Sequence, residues 1–335
     1  MEFSSLANLV SGHVAARIIQ VAVRLGIFDL LESNGATALS AASSLKIDAR
    51  ATGLLLDALV SLGLLAKDND GTYSLNETST NFLIIRSSPR YLGGMILFDG
   101  SLWDCWGRLE EAIRSGAPVR SADMYQGNKA ETQRFIYAMD SLVKARGDAE
   151  IVASSLDLDN VRDFLDIGGG PATYAIELCR QNPSLKATLF DLPGTLQETE
   201  RYVKDAGLAK RLRLIAGDYR TDPIPGRYQL VFLSNIIHGE GVKENQQLMR
   251  KLHGCLDLKG RIYIKDHILD ETLTQPTVGA IFALLMLLTT NHGRCYSFNE
   301  IKSWLEDAGF KKIKQLPLPS PLTSSFVIGE KLSNA

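Results

Sequence analysis

Apolar residues along the chain keep two different rhythms. From Leu6 to about Leu31, Val14, Ile18, Val21, Leu25 and Leu30 return at the spacing of one helix face, and Gly26 breaks the pattern near the end of the main helix. Ala38 to Leu45 and Ala49 to Leu62 predict two compact helices, the second capped by Asp48. Leu64 and Leu65, then Asp68-Asn-Asp-Gly71, then Tyr73 and Leu75 predict a small hairpin closed by an Asp-Gly turn. Helix, helix, hairpin is the plan of a winged helix. Between Asn81 and about Leu158 the spacing stays helical. Leu97, Phe98, Leu102, Trp103 and Trp106 make this stretch rich in large apolar side chains, and Arg134 to Ala153 predicts one long helix holding Phe135, Tyr137 and Met139.

From Val161 onward the rhythm changes to short apolar runs alternating with helical ones, which predicts an α/β fold: a doubly wound parallel sheet with helices on both faces. The expected strands are Phe164 to Ile167, Lys186 to Phe190, Leu212 to Ala216, Gln229 to Ser234 and Arg261 to Lys265, with final strands near Lys311 to Gln315 and Ser325 to Gly329. Lys243 to Leu256 and Asn299 to Ala308, closed by Gly309, predict helices. Val278 to Leu288, apolar throughout and too short to span a bilayer, predicts a buried helix.

The first of these strands runs straight into Asp166-Ile-Gly-Gly-Gly170, and Pro171 is suited to open the helix that continues through Tyr174, Ile176 and Leu178. Bare glycines at a strand end let a ligand approach the backbone, so the turn is of the nucleotide-binding kind. Thr173 stands where the full dinucleotide fingerprint wants a third glycine, which disfavours a nicotinamide dehydrogenase. Asp191 ends the second strand at the distance where a carboxylate meets a ribose diol, and Gly217-Asp-Tyr219 ends the third with another acid. Two strand-end acids suit a ligand with a ribose, an adenine amino group and an ammonium. S-adenosylmethionine is such a ligand; a pyrophosphate would prefer a bare helix N-terminus.

Asp166-Ile-Gly-Gly-Gly170, Phe190-Asp-Leu-Pro193, Gly217-Asp-Tyr219 and Leu233-Ser-Asn-Ile-Ile-His238, in that order, make the chain similar to the class I S-adenosylmethionine-dependent O-methyltransferases of the caffeic acid and hydroxyindole type. The resemblance covers most of the chain. It implies an N-terminal winged-helix dimerisation domain over residues 1–85, a helical connector over 86–158 that contributes to an acceptor pocket, and a cofactor domain over 159–335, assembled as a homodimer. The residues expected around S-adenosylmethionine are Asp166, Gly168, Gly170, Asp191, Leu192, Asp218, Tyr219 and Ser234. Trp103, Phe135, Met139, Phe282, Met286 and His292 are the expected acceptor-pocket residues.

His238 follows an apolar strand, at the sheet edge where open α/β folds bind ligands, and an imidazole titrating near pH 6.5 is a suitable proton acceptor for a phenolic hydroxyl. The resemblance implies that it is the general base, with Asp266 as its orienting carboxylate. Three positions depart from the family. Its second flanking glutamate falls on Cys295, its His-Asp-Trp segment is His238-Gly-Glu240, and the lysine that contacts the cofactor in plant members is Ser234. These departures bear on the acceptor and keep carbon methylation of a larger ring, such as a tetrapyrrole, alongside O-methylation of a small planar aromatic. A non-catalytic cofactor-binding regulator is the alternative from another class. His253 and His267 read as structural.

Composition narrows the partners. With 335 residues the chain is long enough for two domains, and a formal net charge of -2 gives no general attraction to nucleic acid or anionic membrane. The second helix of the winged module carries only Arg50 and Asp57 as charges, where a groove-reading helix needs basic and amide side chains. Cys105, Cys179, Cys255 and Cys295 form no Cys-x-x-Cys pair, so neither a metal site nor a disulfide framework is indicated. The N-terminus lacks the basic and continuous apolar stretches of a signal peptide, and the expected compartment is the cytoplasm.

Overall fold

The computed structural model describes residues 1–88 and 90–332. Its contacts gather into two units, Met1–Trp103 with Tyr137–Ala145, and Asp104–Ile136 with Arg146–Ala335.

The first unit opens with α1 (Phe3–Leu25), which ends where the sequence places the break: Gly26 takes a left-handed conformation at φ 74° and its N–H closes the last turn. A short α2 (Ile27–Leu30) and strand β1 (Ala36–Thr37) lead to α3 (Ala38–Leu45) and α4 (Ala49–Ser61). Asp48 caps α4, its carboxylate accepting the Ala51 N–H at 2.8 Å. The hairpin pairs β2 (Leu65–Lys67) with β3 (Thr72–Leu75), and β1, which the sequence did not announce, adds a third strand beside β3. Helices α5 (Glu77–Phe82) and α6 (Gly93–Ser101) follow. Ala22, Ile27, Phe28, Leu56 and Leu59 are fully buried in this unit's core. The first half of α1 is different: Phe3, Leu6, Leu9, Val10 and Val14 stand exposed. At 23 residues α1 is long and apolar enough to cross a membrane on length and composition alone.

After α7 (Trp103–Gly107) and α8 (Leu109–Ser115), the stretch read as one helix is two, α9 (Lys129–Arg146) and α10 (Asp148–Ser155). Gly147, at φ 70°, makes the break, a conformation other residues adopt at a cost. The sheet then runs β4 (Asp163–Ile167), α11 (Thr173–Gln181), β5 (Lys186–Asp191), α12 (Pro193–Asp205), β6 (Leu212–Ala216), β7 (Tyr228–Ser234), α13 (Val242–Cys255), β8 (Leu256–Asp266), α14 (Thr277–Thr289), α15 (Phe298–Asp307), β9 (Lys311–Pro317) and β10 (Ser325–Glu330). Spatial order is β6-β5-β4-β7-β8-β10-β9. The first five strands are parallel, but β10 is antiparallel to both β8 and β9, so the sheet is mixed where an all-parallel one was expected. Phe164, Leu165, Leu230 and Val231 are fully buried, as strands covered on both faces must be.

This order places β4 between β5 and β7, so the chain leaves β4 in opposite directions along the sheet. A crevice opens at the carboxyl ends of strands at such a switch point. Helix α14 departs from expectation: Met286 and Leu288 are buried, but Val278 and Ile281 face outward. An all-apolar run carries no periodic signal to tell a half-buried helix from a buried one.

Candidate active site

At the end of β4 the backbone turns through Gly168 (φ 62°) and Gly170 (φ 54°). A Cβ on Gly168 would lie 2.4 Å from Ile236 and one on Gly169 2.5 Å from the Asp166 carboxylate, so a side chain at either position would displace its neighbour. Pro171 does not open the helix as expected. It sits inside the turn, Ala172 at φ 61° precedes α11, and Thr173 is the first helical residue.

Asp191 closes β5 and reaches back to this turn, Oδ2 accepting the Gly170 N–H at 2.9 Å and Oδ1 the Leu192 N–H at 2.7 Å. Burial pushes its pKa up to about 6, against the pull of those N–H groups and of a hydrogen bond from the Thr195 side chain. Asp166 is fully buried beneath the turn with neither carboxyl oxygen partnered, and burial, then the Asp191 charge, drives its pKa well above the usual range. Asp218, after β6, is forked by Arg220 at 2.8 to 3.1 Å. Burial alone would raise its pKa, yet the Arg220 hydrogen bonds carry the net shift downward. The Tyr219 ring edge comes within 3.9 Å of the Gly168 Cβ position, and its hydroxyl donates to Glu240 Oε1 at 2.9 Å.

Ser234, at the end of β7, bonds the Tyr174 hydroxyl. That hydroxyl also lies 3.4 Å from Asp148, which Arg146 forks and which Lys265 Nζ approaches to 3.8 Å. Burial pulls the Lys265 pKa down to about 8. No sequence signal marked this interior cluster, because its members come from five separate elements.

His238 lies on a single 3-10 turn, Ile237–Gly239, just past β7. Its Nδ1 is 2.8 Å from Asp266 Oδ1 at the end of β8. The same oxygen accepts the His267 backbone N–H at 2.7 Å. Burial would raise the Asp266 pKa, but the neighbouring His238 imidazole holds it below the ordinary carboxylate value. An ionised carboxylate only accepts, so Nδ1 is the donor of this pair, and in the neutral imidazole the lone pair falls on Nε2. The His238 ring packs edge-on against Phe282 at 4.8 Å, and the His267 ring lies 5.3 Å from Phe282 on another side. Cys295 is buried near Asp266, and burial, then that charge, pushes its thiol up to about 12, leaving it neutral.

Among the expected pocket residues the structure brings Phe282 to His238, with the buried Met286 one helical turn further along α14. His292 is exposed, beside Gly241. Phe135 stacks on Tyr125 at 4.4 Å, with the Arg120 guanidinium 4.3 Å from the Tyr125 ring. Trp103 and Met139 belong to the first unit, where Trp103 meets Arg17 and His13 of α1.

A sheet in this strand order, with an acid at the end of the strand beside its glycine turn and its ligand crevice at the switch point, defines the class of Rossmann-like nucleoside-binding proteins. Comparison with known proteins then narrows the class. The O-methyltransferase domain pattern matches residues 113–311, and the O-methyltransferase dimerisation domain pattern matches residues 7–84. The tetracenomycin polyketide synthesis 8-O-methyl transferase of Streptomyces glaucescens is 31% identical over 331 residues, covering 97% of this chain and 96% of that one. The 3-hydroxy-5-methyl-1-naphthoate 3-O-methyltransferase of Streptomyces sahachiroi is 30% identical over 334 residues, covering 97% and 94%. Human N-acetylserotonin methyltransferase, solved with S-adenosylmethionine, shares the fold at a TM-score of 0.90 and 23% identity, covering 99% and 98%. The chain therefore belongs to the O-methyltransferase family: it is a methyltransferase with S-adenosylmethionine as its methyl donor and a dimerisation domain at its N-terminal side.

Proposed function

We propose that this enzyme methylates a hydroxyl of a small, planar aromatic acceptor, with His238 as the general base and Asp266 as its orienting partner. The observation that carries the reading is the 2.8 Å bond from His238 Nδ1 to Asp266, which turns Nε2 into the free acceptor of a proton.

The cofactor residues fit an adenosyl amino acid. Asp191 keeps lone pairs beyond its two backbone donors and the Thr195 hydroxyl for the hydroxyl groups of a ribose, the unpartnered Asp166 oxygens suit a donor-rich group, and the Gly170 backbone has no atom nearer its Cβ position than Ile136 at 3.7 Å. When bound, S-adenosylmethionine supplies an electrophilic methyl group. The protein then has to hold the acceptor in line and take its proton. A phenol that titrates near 10 yields its proton to an imidazole in the course of attack, and Asp266 stabilises the imidazolium that results. Phe282 offers an apolar flank to a planar ring. Cys295, neutral beside Asp266, leaves one carboxylate rather than two to orient the base.

Two relatives named for aromatic hydroxyl methylation support hydroxynaphthoates and larger fused phenols as the first acceptors to try. The test is transfer of a labelled methyl group to such phenols, to indoles and to tetrapyrroles. Label on a phenolic oxygen supports the reading, and label only on carbon or on no acceptor sinks it. Homodimerisation through the apolar face of α1, residues 1–85 acting as the dimer module, is part of the same reading, as are the connector at 86–158 and the cofactor domain at 159–335. The absence of a nucleic-acid role is supported by α4, whose only charged side chains are Arg50 and Asp57. Four unpaired cysteines support a protein of a reducing compartment such as the cytoplasm.

A further inference from the structure

The turn that carries His238 is fastened from three directions. Asn245, in the first turn of α13, gives its side-chain N–H groups to two carbonyls, Ile237 O at 2.9 Å and Glu240 O at 3.3 Å, one on each side of His238. Tyr296, in the segment before α15, donates its hydroxyl to the same Glu240 carbonyl at 2.5 Å. Tyr219 holds the Glu240 side chain. Asn245 and Tyr296 are 0% and 1% exposed, so these bonds are made out of reach of water, where an unmade bond costs most. The segment before Tyr296 also lies directly against the turn: a Cβ on Gly293 would fall 2.3 Å from the His238 carbonyl oxygen.

A 3-10 turn of three residues has little regular hydrogen bonding of its own to fix it. The imidazole must nevertheless meet Asp266 on one side and an acceptor on the other. We propose that Asn245 and Tyr296 are positioning residues for His238: they fix the Ile237–Glu240 backbone so that Nδ1 stays on Asp266 and Nε2 keeps its heading. Glu240 extends the clamp to Tyr219, beside the glycine turn, and so ties the base to the nucleoside end of the crevice. This inference rests on the reading of His238 as the base, and its test has a readout that does not.

Tyr296→Phe removes one hydroxyl and leaves the ring. Its kcat is expected to fall about ten- to a hundredfold, the scale of a small misplacement of a reacting group, while cofactor affinity by calorimetry stays within about twofold. In parallel, the side-chain nitrogen signals of His238, assigned by their loss in His238→Ala, should change from a single Nδ1-protonated form to a mixture. Asn245→Ser, which loosens the same carbonyl from the other side, is read in the same way and replaces Tyr296→Phe if that variant does not fold. Unchanged kcat and an unchanged His238 signal in a folded variant overturn the clamp. If His238→Ala keeps full turnover, the base reading fails by itself, and the nitrogen signals alone decide whether Tyr296 and Asn245 position the ring.

Discussion

The two sides of the switch point each bury an aspartate at a strand end, and the two acids respond in opposite ways. Asp191, on the β5 side, is held by neutral donors, two backbone N–H groups and the Thr195 hydroxyl, and burial raises its pKa to about 6. Asp266, on the β8 side, is as deeply buried, yet the His238 imidazole beside it holds its pKa below the ordinary value. Burial taxes a charge in both places, and an adjacent group that can become a cation reverses the outcome in one. The β5 side is thus built to receive donors from a ligand, whereas the β8 side is already paired within the protein.

The largest effect should come from His238→Ala, which removes the imidazole of the paired side. Turnover is expected to drop about a hundredfold or more with cofactor affinity nearly unchanged, and loss of both together would break the separation of the two sides. Asp191→Ala should do the reverse, weakening cofactor binding by about ten- to a hundredfold, since hydrogen bonds to a charged acceptor contribute about 1.5–3 kcal/mol each. Calorimetry on that variant reads the loss directly. Asp266→Asn keeps an acceptor but not the charge, and kcat should fall about tenfold, measured at saturating cofactor. The smallest effect is on pH. Because Asp191 titrates at about 6 and accepts best when ionised, cofactor affinity should be constant above that value and weaken by up to about tenfold per unit below it. Asp266, with its lowered pKa, stays ionised through the same range, so affinity that is flat down to pH 5 would show that the two acids do not differ as described.

How far this arrangement could be read beforehand depends on whether the signal was local. Asp48 capping α4, the left-handed Gly26 and the strand ending at Asp191 are all written in adjacent residues, and each falls at its expected place. His238 beside Asp266 was legible because each follows an apolar strand and the strands are neighbours. Asn245 and Tyr296 carry no such mark: one reads as an ordinary helix polar residue, and the other reaches its partner carbonyl across 56 positions. His267, read as structural, stands next to the site because it continues the strand that ends in Asp266. The single helix expected from Arg134 to Ala153 failed at Gly147, where propensity alone only weakens a helix and the left-handed backbone ends it. Trp103 illustrates the limit of composition: a large apolar side chain declares that it will pack, but not that its neighbours are Arg17 and His13.

The insertion of β10 between β8 and β9 has a bearing on how the molecule comes into being. Synthesis delivers β8 long before its flanking neighbour exists, so its outer hydrogen-bonding groups remain open while more than fifty further residues are made. The edge that must be shielded meanwhile belongs to the very strand that ends in Asp266, so the flank of the sheet beside the His238–Asp266 pair is the one covered last, when β10 arrives.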